Sequence, residues 1–143
     1  NFLIPFFLFS NYLIKGFMSY YYISNPYNGS DSQKEMRAKI AAQVCGKLLK
    51  RGVHAWSPIV HNHAMMSDYG GFTLDERRTL ILDFDFSLLL ASKGMIVLKI
   101  DGWQESYGVS KEVELCKEKS ISVQYLNPLD LDSGKSIEEI LHN

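Results

Sequence analysis

Cysteine is scarce in this chain: Cys45 and Cys116 are the only two in 143 residues. Each sits on the apolar side of a stretch with helical spacing, so two buried free thiols are a simpler reading than a disulfide or a metal pair. Free thiols suit a reducing cytoplasm. An excess of charge of one sign is also missing, because 15 Lys plus Arg stand against 16 Asp plus Glu for a net charge of -1. That balance leaves no broad electrostatic footprint for polymeric nucleic acid. Internal repeats and low-complexity tracts are absent.

A long uninterrupted apolar run is lacking too. The most apolar stretch is Asn1 to Phe17, but Pro5, Asn11 and Lys15 interrupt it, and it falls short of the roughly 20 residues that span a bilayer. It has neither the basic start nor the small-residue cleavage site of a secretory signal. No membrane partner is therefore expected. Met18 precedes the first clean strand, so residues 1–17 are expected to lie outside a functional domain of 18–143, as upstream read-through. The rival expectation is a hydrophobic extension that packs on the body or on a partner chain.

What is present suffices for one packed domain. Hydrophobic residues make up 46% and aromatics 13%, enough to bury a core without covalent staples, and the length suits a single domain with one active site.

From Tyr20 the pattern alternates. Tyr20 to Ser24 reads as a buried strand, ended by the turn-forming Asn25-Pro26-Tyr27-Asn28-Gly29. Ser32 and Glu35 suggest a capping box for a helix in which Met36, Ile40, Val44 and Leu48 recur until Gly52. Val53 to Ser57 reads as a second strand closed by Pro58. A loop with His61, His63 and Gly70-Gly71 follows, and Thr73 with Glu76 caps a helix to about Ala91. Met95 to Ile100 is nearly continuous in apolar residues, as expected of a central parallel strand covered on both faces. Gly108 to about Lys119 reads as a helix, Ile121 to Leu126 as a strand, and Ser136 to Leu141 as a short final helix. This alternation predicts an α/β domain: a three-layer, Rossmann-like (flavodoxin-like) open parallel sheet with helices on both faces. The GxGxxG turn of a dinucleotide site does not follow the first strand, and no cofactor is expected.

Ligands of such sheets bind beyond the carboxyl ends of the strands, which directs attention to three segments. The first is Tyr22-Ile23-Ser24-Asn25-Pro26-Tyr27. The second is the helix before the central strand, with Asp83 and Asp85; Asp85 reaches the site only if that helix crosses the mouth of the sheet. The third is the stretch from Asp101 to Glu112, where the turn at Gly108 opens a helix whose free N–H groups suit an anion such as phosphate, beside the Ser106 hydroxyl. Glu112 lies one turn further, placed to act as nucleophile or general base. A solvated helix carboxylate is its simpler alternative, and Glu114 is expected to point elsewhere. His61 and His63 are two metal ligands without a third, so no metal site is assigned; lining a substrate pocket and ordinary loop positions both stay open. Trp56 and Trp103 flank the expected mouth and could stack on a base, structural burial being the alternative for Trp56.

Ser106-Tyr107-Gly108-Val109-Ser110-Lys111-Glu112 after an apolar strand resembles the segment carrying the catalytic glutamate in nucleoside 2-deoxyribosyltransferases and the related 2-deoxynucleoside 5-monophosphate N-glycosidases. Tyr22 to Tyr27 is similar to the Y-L-A-G-P-F stretch that begins those domains, and Asp85 precedes the central strand as the aspartate facing the base does there. The resemblance covers roughly residues 20–128. Small phage-like members share patterns seen here at Pro58 to His61 and Gly102 to Val109.

The resemblance implies Glu112 as the nucleophile or the stabiliser of an oxocarbenium-like transition state, Tyr22 as the residue orienting it, and Asp85 as the acid that meets the leaving base. It implies substrate contacts from Ser24, Asn25, Pro26, Tyr27, His61, Trp103, Ser106, Gly108 and Val109. Serine at 106, where nucleoside transferases usually carry aspartate, favours a 5-monophosphate substrate and hydrolysis. Asn25 departs from the usual glycine, which puts the contacts of the first loop in doubt. The implied partners are a small-molecule nucleoside or nucleotide and further copies of the chain, as a homodimer or higher homo-oligomer. Two other functions compete: a non-catalytic nucleotide sensor on the same fold, and cleavage of the nicotinamide bond of NAD.

Overall fold

The computed structural model describes residues 19–141; the apolar stretch 1–17 lies outside the described residues. In chain order the elements are β1 (Tyr21–Ser24), α1 (Asp31–Lys50), β2 (Ala55–Trp56), α2 (Pro58–Tyr69), α3, β3 (Gly94–Leu98), α4 (Tyr107–Lys119), β4 (Val123–Leu126), a 3-10 turn (Pro128–Asp132) and α5 (Ile137–Leu141). Helix α3 comprises Leu74–Glu76, a π-helical turn Arg77–Ile81 and Leu82–Leu90, which follow one another without a break.

All strand pairings are parallel and the order is β2-β1-β3-β4. The chain steps from β1 to β2 on one side, then crosses back over β1 to lay β3 on the other. The carboxyl ends of β1 and β3 therefore diverge into loops of opposite direction, which is the topological switch point of a doubly wound sheet. The fold is the expected Rossmann-like open sheet.

Strand alternation sorts the core into two layers. On one face Tyr22, Met95 and Val97 pack with Leu89 of α3 and with Val109 and Cys116 of α4. On the other, Ile23, Ile96, Leu98 and Leu126 meet Ala41, Val44 and Leu48 of α1, together with Leu131, Ile140 and Leu141. Every residue of β3 is buried, as its apolar composition requires of an interior strand. Cys116 is buried, Cys45 is half-buried, and both are free thiols.

Three local expectations are corrected. Helix α1 begins two residues early: Ser30, in extended geometry, accepts from the Gln33 N–H at 3.3 Å, and the Gln33 side chain accepts from the Ser30 N–H at 2.8 Å. Ser32 and Glu35 lie inside the helix, and Met36 is 62% exposed and not part of the core stripe. The second strand shrinks to Ala55–Trp56. Pro58 does not merely stop it but starts a helix, since its fixed φ and missing N–H suit the first helical position. His61 and His63 are thus on α2 and not on a loop, with Ser57 accepting from the Val60 N–H at 3.2 Å and Gly70, at φ 66°, ending the helix.

Ser30→Ala is expected to lower unfolding free energy by about 1 kcal/mol through loss of the cap. Ser32→Ala should change it by less than about 0.5 kcal/mol. Urea denaturation of the two variants checks this, and a larger loss at Ser32 would restore the later start of the helix.

Candidate active site

Tyr22 and Ser24 are two residues apart on β1 and so point to the same face. Helix α4 lies across that face, with Val109 and Cys116 in the core beneath it. Glu112 shares their stripe, at spacings of three and four residues, so its carboxylate is carried down onto the strand. The Tyr22 hydroxyl donates to Glu112 Oε1 at 2.9 Å, and the Ser24 hydroxyl donates to Oε2. Glu112 is half-buried, so a merely solvated carboxylate is ruled out. Glu114 points outward, in an exposed ion pair with Lys111 at 2.8 Å.

Burial raises the Glu112 carboxyl to about 7; the Ser24 and Tyr22 hydrogen bonds oppose the shift, and the charge of Asp85 adds to it. Tyr22 is held far above the ordinary phenol range, first by burial and then by the Glu112 charge. It therefore serves as a donor only. Each Glu112 oxygen has a hydroxyl fixed on it, a geometry that orients the carboxylate before any ligand arrives.

Asp85 is the second carboxylate of the region, at 8% exposure. The side-chain amide of Asn62, on α2, donates to both of its oxygens at 2.8 and 3.0 Å. Burial pushes Asp85 up to about 6, against the Asn62 bonds and the nearby His61. Asp85 lines the cleft from α3, whose Leu89, one turn further on, packs on the sheet with Tyr22, Met95 and Val97. Asp83 is exposed. Asn62 was not singled out from sequence, yet its place four residues after buried Pro58 puts it on the inner face of α2 once that segment is helical.

A cleft of about 1220 Å³ opens beside these groups, with Tyr27, Asn62, His63, Arg77, Asp85 and Gly108 among the residues on its wall. Glu112 is not on that wall, but Gly108 and Lys111, its neighbours on α4, are. Tyr27 and His63 are tied through the Tyr27 hydroxyl and His63 Nδ1 at 2.7 Å.

Several expected contacts lie elsewhere. His61 is exposed and packs at a tilt against Trp56 and Phe84, at centroid distances of 5.9 and 5.6 Å, and His63 is the histidine of the cleft. Trp103 turns to the Tyr125 ring of β4 at 5.5 Å and is off the cleft wall. Ser106 is the N-cap of α4, its hydroxyl oxygen accepting from the Val109 N–H at 3.3 Å, and it is off the cleft wall. The Val109 side chain belongs to the core. Asn25 and Pro26 are buried; the Asn25 amide donates to the Pro26 carbonyl at 3.0 Å, and Asn25 Oδ1 is buried without a partner among the described residues. Trp56 is half-buried against Tyr22, at 6.0 Å between ring centroids.

The raised carboxyl has a consequence for stability. A folded-state value of about 7 against an ordinary 4.5 means that between these pH values the folded chain holds a proton the unfolded chain has released. Stability therefore falls as pH rises through that window. Glu112→Gln should leave stability unchanged below pH 4 and raise it above pH 7, by an amount on the order of 3 kcal/mol. Thermal melts of both proteins at pH 4 and pH 8 check this; an equal shift at both pH values would remove the titration as its cause.

None of the curated proteins compared matches the chain. Residues 19–127 match a family described as a domain of unknown function, DUF1937. That match takes in most of the 143 residues, and the chain belongs to this family.

Proposed function

We propose that this chain hydrolyses the N-glycosidic bond of a nucleoside or nucleoside 5-monophosphate. The observation carrying the reading is the Glu112 carboxylate, with one hydroxyl donor on each oxygen, next to a cleft that holds a second buried carboxylate. One anionic and one protonated carboxyl group are what glycosidic cleavage requires, and burial of Asp85 favours its protonated form.

In the first step a Glu112 oxygen attacks the anomeric carbon, or stabilises the positive charge developing there. The bond to the base nitrogen breaks, its electron pair stays on the base, and the Asp85 proton goes to the base. In the second step water adds to the anomeric carbon, Asp85 takes its proton, and Glu112 is released. Tyr22 and Ser24 keep the carboxylate from rotating and favour its ionised form. Asn62 fixes Asp85 in the cleft, and its donation to both oxygens keeps that acid strong enough to give up its proton.

Asp85 is raised to about 6 and Glu112 to about 7, so both carboxyls titrate near neutral pH as a coupled pair, and the reading needs that pair to hold one proton, on Asp85.

A second reading is favoured by one specific observation: Glu112 is off the cleft wall and both its oxygens already accept hydrogen bonds. A chain that only binds a nucleotide would show the same arrangement, with Glu112 as a strut between β1 and α4. Assembly into a homodimer or larger homo-oligomer belongs to the main reading, supported by Leu80, Phe84 and Leu90 of α3, which are 59%, 42% and 48% exposed. A reducing cytoplasm fits the free Cys45 and Cys116. Among the described residues no helix is long and apolar enough to cross a membrane.

Released base, followed by chromatography on a panel of nucleosides, nucleoside monophosphates and NAD, separates the possibilities. Wild-type protein is expected to release base with a bell-shaped pH dependence of kcat/KM centred between pH 6 and 7. Glu112→Gln should reduce release at least about 1000-fold, and Asp85→Asn should abolish the fall on the alkaline side. Binding without turnover selects the sensor, release only from NAD selects the nicotinamide bond, and unimpaired release by Glu112→Gln removes the mechanism. Sedimentation at twice the chain mass or more checks the assembly.

A further inference from the structure

Four cationic side chains line the cleft: Lys34, Arg77, Arg78 and Lys111. Two are engaged. Lys111 pairs with Glu114 at 2.8 Å and lies over the Tyr107 ring, while Lys34 sits 5.9 Å from the Tyr27 ring centroid. Arg77 and Arg78 differ, because neither guanidinium has a hydrogen-bond or ion-pair partner among the described residues. This holds although Asp31 and Glu35 of α1 line the same cleft. Both arginines are exposed, and an anion arriving there meets hydrated donors that need no rearrangement of an existing pair.

Their direction follows from the helix. Leu74, Arg77, Arg78, Ile81, Leu82 and Asp85 all face the cleft, at steps of three and four residues that make a single stripe of α3. Arg78 and Asp85 are seven residues apart, about 10 Å along a helix axis, which is the order of the length of a nucleoside monophosphate. The arginines thus mark the outer end of a groove whose inner end is the Asp85 carboxyl. Arg77 also lies close enough to Tyr27 for its charge to favour the phenolate, against burial, so it is directed across the groove toward the β1 loop.

Expected phosphate contacts at the start of α4 are weakened by the same geometry. The Ser106 hydroxyl oxygen accepts from the Val109 N–H, and Ser106 is not on the cleft wall. Tyr107 and Gly108 of α4 still line the cleft, and the charge to balance an anion there comes from another element, α3.

We propose that Arg77 and Arg78 form an anion subsite at the outer end of the cleft that takes the phosphate of a 5-phosphorylated nucleoside. The forked guanidinium matches phosphate oxygens in bidentate fashion, and two of them balance its double charge. The identity of the ligand rests on the glycosidase reading; the subsite itself does not. The phosphate stays at the mouth while the glycosidic bond reaches the two carboxyl groups, away from electrostatic repulsion by Glu112 and Asp85.

The test uses binding, with turnover removed by Glu112→Gln. Titration calorimetry compares a deoxynucleoside, its 5-monophosphate and inorganic phosphate on this background, with and without Arg77→Ala plus Arg78→Ala, and with Arg77→Lys plus Arg78→Lys. The monophosphate is expected to bind at least about tenfold tighter than the nucleoside, a preference worth about 1.4 kcal/mol. The double alanine variant should erase that preference while nucleoside affinity stays within about threefold, and added salt should weaken only the phosphorylated ligand. The lysine variant should keep part of it. Equal affinities on the arginine background, or a preference that survives the double alanine variant, overturn the subsite. An arginine-dependent preference in a chain that releases no base from any substrate upholds the subsite and removes the hydrolase reading. Base release indifferent to both phosphate and the arginines does the reverse.

Discussion

One carboxylate joins the two halves of the sheet. Glu112 is carried by α4, after β3, and both its oxygens accept from hydroxyls on β1, roughly ninety residues earlier in the chain. Desolvating a carboxylate is costly, and the raised pKa shows that two hydroxyl donors only partly offset the cost. The surrounding core holds the arrangement in place: Tyr22 is fully buried, and Val109 and Cys116 on either side of Glu112 anchor α4 to the same face. Had the group been selected for stability alone, an apolar side chain at that position would serve better.

The cleft lies beside that group. Helix α3 supplies one wall, with Asp85 buried and Arg77 and Arg78 exposed, the two arginines opening its π-helical turn Arg77–Ile81. Such turns are frequent where a helix serves a ligand and not only its own packing. Helix α2 supplies the counterpart, with Asn62 fixing Asp85 and His63 fixing Tyr27. Both carboxyl groups are therefore held by partners from another element, Glu112 of α4 by β1 and Asp85 of α3 by α2. The opposite face is packed by α1 and the C-terminal turns, and the start of α1 also reaches the cleft through Asp31, Lys34 and Glu35.

Much of the fold was legible because its signals are local. The apolar run of β3, the Thr73 and Glu76 capping box and the 3.6-residue periodicity before β4 each depend on a few neighbouring residues, and each element formed where expected. The errors arose where two local signals compete. Ser30 and Ser32 both offer a cap two residues from each other, and the side chain that closes the box, Gln33 over Glu35, decides between them. Pro58 ends a strand and begins a helix with equal ease, and only the packing of Pro58 and Asn62 against the body selects the helix.

The sequence by itself determined the alternation of strands and helices, the interior strand and the clustering of polar residues beyond the strand ends, because backbone propensity and hydrophobic period act over short distances. Which polar residues meet was decided by tertiary structure. The pairing of Glu112 with Tyr22 and Ser24, the choice of Asn62 and His63 over His61, and the loss of Trp103 and Ser106 from the cleft all depend on how helices cross the sheet. That crossing angle is set by the summed packing of many side chains, and no single residue encodes it.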